Sequence, residues 1–142
     1  MDNCIFCRII KGEIPAVFVH EDEHCVAFLD LHPIREGHAL IIPREHIDHF
    51  SDVPDELAAH MMVVAQKLSR RMHEVLKPER VGLVVSGYGV PHAHLHVVPL
   101  MDEQDITSAR YAVLNEGTLS FSMANIPIAS LEARQAVAAK LR

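Results

Sequence analysis

No apolar run in this 142-residue chain approaches the roughly 18 residues that a membrane-spanning helix needs, so a membrane protein is not expected. The opening Met1-Asp2-Asn3-Cys4 carries no basic region leading into a long apolar stretch. A secretory signal is therefore not expected, and the cytoplasm is the expected location. Basic residues are in short supply: 13 Lys and Arg face 19 Asp and Glu, a net charge of −6 with His neutral. Without a large basic field the chain is not expected to coat nucleic acid, although a local pocket can still hold one small anion. The sequence has no G-x-x-x-x-G-K-[ST] run, which excludes P-loop phosphate chemistry. It also lacks internal repeats, low-complexity tracts and Gly/Ser linkers. Cysteine is scarce, at three, and the number is odd, so a disulfide framework is not expected in a reducing compartment. Cys4 and Cys7 lie close enough to be a metal pair or a redox pair, and a lone Cys-x-x-Cys does not separate the two. The redox reading needs a βαβ context, and none follows here. Cys25 reads as a small buried apolar residue.

What is present is enough apolar material for a core, 49% of the residues, in a chain the size of one domain. Residues 1–100 alternate between strand and helix patterns. Cys4 to Ile10 reads as a short helix stopped by Gly12 and Pro15. Val17 to His20 and Cys25 to Leu29 read as a hairpin about the polar turn Glu21-Asp22-Glu23-His24. His38 to Ile42 is a short strand closed by Pro43. The clearest helix follows Ser51, with Ser51 or Asp52 as its expected cap and Pro54, Asp55 and Glu56 in its first turn. Leu57, Met61, Val64, Leu68, Met72 and Val75/Leu76 recur at steps of three and four, one apolar stripe of core filler ended by Pro78. Lys67, Arg70, Arg71 and Glu74 supply its wet face. Val81 to Val85 and His92 to Val98 are expected to pair as a second hairpin around Ser86-Gly87-Tyr88-Gly89. Beyond residue 101 the chain becomes polar, with Asn115-Glu116-Gly117, Asn125 and Pro127. A last helix carrying Leu131, Val137 and Leu141 is expected after Ser130.

The chemistry concentrates at His92-Ala93-His94-Leu95-His96-Val97-Val98. Its period of two places all three imidazoles on one face of a strand and turns Ala93, Leu95 and Val97 toward the core. Same-face neighbours stand about 6.6 Å apart along a strand, twice the rise per residue. Two adjacent rings can serve one substrate at that spacing, whereas three rings cannot easily grip one metal.

This run resembles the signature of the histidine triad family, His-φ-His-φ-His-φ-φ with φ apolar. Further blocks resemble the family in its own order: Cys4-Ile5-Phe6-Cys7, Phe28-Leu29-Asp30, Glu36-Gly37-His38-Ala39-Leu40 and Ile42-Pro43-Arg44-Glu45-His46. The resemblance covers about residues 1–100. It implies an α+β, HIT-like fold: a single domain with an antiparallel sheet of about five strands and helices, in a homodimer. Residues 1–101 would form the core, and residues 102–142 an extension packing on that core or on a partner subunit.

By the same resemblance His94 is the nucleophile, attacking the α-phosphorus of a nucleotide to form a nucleotidyl-histidine that water then hydrolyses. A neutral imidazole suits that task, being nucleophilic near pH 7 and able to leave again. A backbone carbonyl near His92 would hold its other nitrogen. His96 and His38 would donate hydrogen bonds to phosphoryl oxygens, and Asp30 would accept bonds from ribose hydroxyls. Phe28 and its apolar neighbour Leu31 would line the base pocket. Cys4, Cys7, His46 and His92 match a ligand set of bacterial relatives, and two thiolates with two imidazoles make a closed, structural zinc site.

The chain departs from the family pattern before the triad. Only Ser86-Gly87-Tyr88-Gly89-Val90-Pro91 stands where many relatives have a longer loop. Ser86 falls where an Asn begins that loop, and Gly89 falls where a Ser or Thr would stand beside the leaving group. The implied activity is a purine nucleoside 5′-phosphoramidate hydrolase. The alternatives are a dinucleoside polyphosphate hydrolase with the same nucleophile, or a non-catalytic, zinc-stabilised nucleotide-binding module.

Overall fold

The computed structural model describes residues 3–106, 112–121 and 126–142. Met1, Asp2 and Asn125 lie outside them. Helix α1 (Ile5–Ile10) starts at Cys4, whose Sγ accepts the Cys7 N–H and so caps the first turn. Strands β1 (Phe18–Glu21) and β2 (Cys25–Leu29) form the expected hairpin. Asp22 closes it, its Oδ1 accepting the N–H groups of His24 at 2.7 Å and Cys25 at 2.9 Å. That is the local bond by which Asp favours turns. Strand β3 (Ala39–Pro43) pairs with β2, and β5 (Leu95–Leu100) joins β3 to the edge strand β4 (Arg80–Val84). The sheet has five strands in the order β1-β2-β3-β5-β4, and all of its pairings are antiparallel.

Helix α2 (Asp55–Val75) buries the stripe Met61, Val64, Leu68 and Met72. Its expected cap is a correction. Ser51 and Asp52 belong to a separate 3-10 turn, Phe50–Asp52, and α2 begins after Pro54 with no side-chain cap. Pro54 restarts the chain after the turn, and Asp55 and Glu56 complement the helix dipole instead. Beyond the sheet, β6 (Ala112–Asn115) and β7 (Thr118–Phe121) form a separate hairpin that the polar composition had not announced. Helix α3 (Leu131–Leu141) is capped by Ser130 Oγ, which accepts the Ala133 N–H at 3.0 Å.

The two sheet faces have different covers. Ala27, Leu29, Ala39, Ile41, Leu95 and Val97 pack under α2 and α3, with Met61, Met72, Val137 and Leu141 filling the layer between. The opposite face presents Val26, Phe28, Leu40 and Ile42 to Phe6 and Ile9 of α1. Strands β2 and β3 are thus buried on both sides along their whole length. Helix α1 has only six residues. It covers part of its face, and a cleft opens beside it.

Candidate active site

Strand β5 begins at Leu95, so His92 and His94 precede it, a correction to the expected strand from His92. The alternation survives because the segment is pinned: the Ala93 N–H donates to the Ile47 carbonyl at 2.7 Å. Ala93, Leu95 and Val97 enter the α2 side of the core. The three imidazoles take the α1 side, where Phe6 meets the rings of His92 and His94 edge to face, with centroids 5.9 and 5.3 Å away.

The rings then part company. His92 is fully buried and joins Cys4, Cys7 and His46 in one cluster. Its Nδ1 lies 3.4 Å from Cys4 Sγ and 3.5 Å from Cys7 Sγ, and Cys7 Sγ lies 3.2 Å from His46 Nδ1. Ligands placed about 2.0–2.3 Å from a tetrahedral ion stand roughly 3.3–3.8 Å from one another, so these separations fit one metal ion. His92 Nε2–H donates to the Pro43 carbonyl at 2.8 Å, which leaves Nδ1 as the lone-pair nitrogen facing the thiols. Burial pushes the Cys7 thiol pKa up, and the neighbouring Cys4 adds to it. These four residues could hold a metal.

His94 and His96 face the cleft, their ring centroids 5.2 Å apart. His94 Nδ1–H donates to the His92 carbonyl at 2.7 Å, so Nε2 carries the lone pair. His38 and His96 are joined directly, Nε2 to Nδ1, at 2.9 Å. The Ile34 N–H donates to His38 Nδ1 at 3.1 Å, so His38 carries its proton on Nε2 and is the donor to His96. His96 Nδ1 is therefore an acceptor, and its remaining proton sits on Nε2. Burial lowers the pKa of His38 to about 4. Burial, with the neighbouring His38 and His94, lowers that of His96 to about 4 as well. Both rings are neutral at pH 7, and the relay is one of fixed tautomers. Asp30 directly follows β2, its Oδ1 accepting the His32 N–H at 2.8 Å, and burial raises its pKa.

The cleft measures about 790 Å³, within the range of small-molecule sites. Phe28, Asp30, Leu31, His38, Ser86, Gly89, His94 and His96 all line it. Every residue expected at the substrate is thus brought together, and the four metal candidates meet behind them. Gly89 has φ +93°, a conformation that suits only glycine, so the missing hydroxyl at this position belongs to the turn itself. Sequence patterns did not single out Phe6, Val90, Ile106 or Arg134, which also line the cleft. Arg134 comes from α3, about forty residues past the triad, where no local pattern could point to it.

The HIT domain model matches residues 11–103 of the chain. The chain belongs to the HIT family. It is 38% identical over 111 residues to Protein hit of Bacillus subtilis, spanning 73% of this chain and 75% of that protein. It is 40% identical over 105 residues to adenosine 5′-monophosphoramidase of Saccharomyces cerevisiae, spanning 71% of this chain and 65% of that protein. A solved structure of a Zn-bound histidine triad family protein from Mycobacterium smegmatis superposes with a TM-score of 0.71 at 27% identity, covering 99% of this chain and 94% of that one. The five-stranded antiparallel sheet with helices is thus the α+β fold that the resemblance implied. Among the described residues of this HIT protein no helix is long and apolar enough to cross a membrane.

Proposed function

We propose that this HIT enzyme hydrolyses purine nucleoside 5′-phosphoramidates through a covalent nucleotidyl-His94. The observation that carries the reading is the bond from His94 Nδ1–H to the His92 carbonyl, which leaves Nε2 free in the cleft. His94 Nε2 attacks the α-phosphorus. The N–P bond forms, the bond to the leaving amine breaks, and the amine takes up a proton as it departs. The ring becomes cationic while it carries the nucleotide, and its Nδ1–H bond to the His92 carbonyl strengthens as the charge grows. Water then attacks phosphorus, loses a proton, and displaces the neutral imidazole.

The remaining roles are those the family resemblance implies, supported by the placement of these residues around one cleft. His96 Nε2–H donates to a phosphoryl oxygen, and His38 holds His96 in that tautomer. Asp30 reads the ribose, and Phe28 and Leu31 contact the base. Ser86 and the backbone of Gly89 lie toward the leaving group.

We assign zinc to Cys4, Cys7, His46 and His92, because two thiolates and two imidazoles at tetrahedral separations form a closed structural site. Zinc would fix the His92 ring, and with it the carbonyl that orients His94. We further read the protein as a cytoplasmic homodimer. Met62 and Val63 on α2 and Leu83 and Val85 at the β4 edge are exposed apolar residues suited to a partner. Residues 1–101 would be the catalytic core and 102–142 an extension that completes it.

Incubation with an α-labelled adenosine phosphoramidate, quenched within a turnover, tests the mechanism. The label should appear on the peptide containing His94, and a His94→Ala variant should carry none. Turnover by wild-type protein with no labelled His94 peptide would refute covalent catalysis. A lack of turnover with tight nucleotide binding would favour the non-catalytic module.

A further inference from the structure

The catalytic cleft does not end at His38. A second cavity of about 350 Å³ adjoins it, and the two share Leu29, Asp30, Ile34, His38 and Arg134 as lining residues. Arg134 is the one residue of this boundary that comes from the C-terminal helix. It lies outside residues 11–103, which the family model matches.

Its guanidinium is in an unusual state. Arg134 Nε is buried and has no hydrogen-bond partner. A surface arginine would keep all its N–H groups in water, and a buried structural arginine would be paired. Arg134 makes no ion pair with Asp30 or Glu36 among the described residues. Arg35, the other arginine at the second cavity, is committed: its Nε and Nη2 donate to Asp105 at 2.8 and 2.9 Å. His38 is neutral. Among the described residues, Arg134 is therefore the cation whose donors remain to be used at this end of the cleft.

Its backbone is held firmly enough to make this a built feature. Ser130 caps α3, Val137 and Leu141 are buried in the core, and the Ala129 N–H donates to the Leu31 carbonyl at 2.9 Å. The last contact ties the start of α3 to the segment that follows Asp30.

We propose that Arg134 anchors a second anion subsite of the cleft, which takes a phosphate carried by the nucleotide in addition to its α-phosphate. A phosphate accepts side-on from Arg Nε–H and a terminal N–H together, and that fork uses the nitrogen left unpartnered here. Sheet register, together with the ribose role proposed above for Asp30, indicates where on the nucleotide this phosphate would sit. Leu40 pairs with His96 and Ala39 with Val97, so His38 and Asp30 stand at one end of the cleft. Val84 also pairs with His96, and the chain runs on from there toward the loop 86–91 at the His94 end. Arg134 belongs to the Asp30 end. The extra phosphate is therefore on the ribose, at the 2′ or 3′ oxygen, and the other hydroxyl remains for Asp30 to accept from.

The inference rests on the nucleotide reading above, and its test separates the two. Calorimetric titration of the full chain would compare AMP, adenosine 2′,5′-bisphosphate, adenosine 3′,5′-bisphosphate and ADP. One ribose bisphosphate should bind about tenfold or more tightly than AMP, while ADP gains little. Arg134→Ala, with an unchanged melting temperature, should abolish that gain and leave AMP within about threefold; Arg134→Lys should recover part of it, keeping the charge without the fork. Equal losses for all four ligands, or no gain for either bisphosphate, would overturn the subsite. An Arg134-dependent gain confined to ADP would overturn its placement on the ribose. Wild-type protein that binds none of the four would bring down the nucleotide reading, and the subsite with it.

Discussion

His94 has one nitrogen committed to the His92 carbonyl and one directed to the cleft, so in the proposed mechanism removing it removes the reacting atom. His94→Ala should lower kcat on an adenosine phosphoramidate by roughly a thousandfold or more while the folded spectrum is kept. Steady-state kinetics beside circular dichroism checks this, and near wild-type turnover would refute the assignment. His38 should behave differently, because in the proposed mechanism it acts through the bond to His96. His38→Ala frees the His96 tautomer and should lower kcat by about tenfold with little change in KM. An effect confined to KM would instead mean that His38 touches the ground-state substrate. These roles differ in how far the sequence discloses them. The alternation at 92–96 is local, so a period of two suffices to separate the imidazoles from Ala93 and Leu95. The bond between His38 and His96 spans 58 positions and exists only because Leu40 pairs with His96. The resemblance could name both residues, and only the register could join them. Arg134 had neither a period nor a motif, and its significance arises from burial.

Elements carry the second level of argument. Helix α1 and the segment leading into β5 meet at the Cys4–Cys7–His46–His92 cluster, so a metal there would fasten the catalytic strand to the chain's start. Purified protein should contain about one zinc per chain by elemental analysis, and chelation should lower its melting temperature, because metal binding is coupled to folding. Metal-free protein of unchanged stability would point to ordinary buried thiols. The turn into β3 depends on Gly37, which has φ +96°, and an added Cβ there would lie 2.5 Å from Leu76 Cδ1. Gly37→Ala should therefore cost about 1–3 kcal/mol in urea unfolding, from strain and crowding together. Strands and helices with a strong period were legible at this level, within a residue or two at their ends apart from β5, which begins three residues after the expected His92. The cap of α2 was not. Ser51 and Asp52 have the right chemistry for a cap, but the 3-10 turn they enter leaves Pro54 at the boundary. The β6–β7 hairpin was missed because strands of four residues are too short to establish a period, and Leu114 and Leu119 are exposed rather than core-facing.

At the scale of the whole molecule, a sheet whose central strands are buried on both faces forces polar groups into low dielectric, and this makes stability depend on pH. The five-strand architecture was legible from the family blocks, but the burial that neutralises His38 and His96 needed the packed fold. Unfolded, each imidazole titrates near about 6.5. Folded, both are held to about 4, by burial above all. Between these limits the unfolded chain binds protons that the folded protein refuses. Stability is therefore full above the unfolded value, falls as pH drops through the window, and levels off below the folded value. Asp30 acts in the opposite sense: burial raises its pKa, so the folded protein takes up a proton that the unfolded chain has released. With two imidazoles against one carboxyl, a net loss on the order of a few kcal/mol is expected between pH 7 and 4.5. Acid would also strip a metal from its thiolates, which lowers stability in the same direction. Urea titrations of wild type and His38→Gln separate the two causes, because metal loss is common to both proteins. The variant has one imidazole fewer to protonate on unfolding, so its stability should fall less steeply over the window. Parallel curves would show that His38 is not held neutral by the fold.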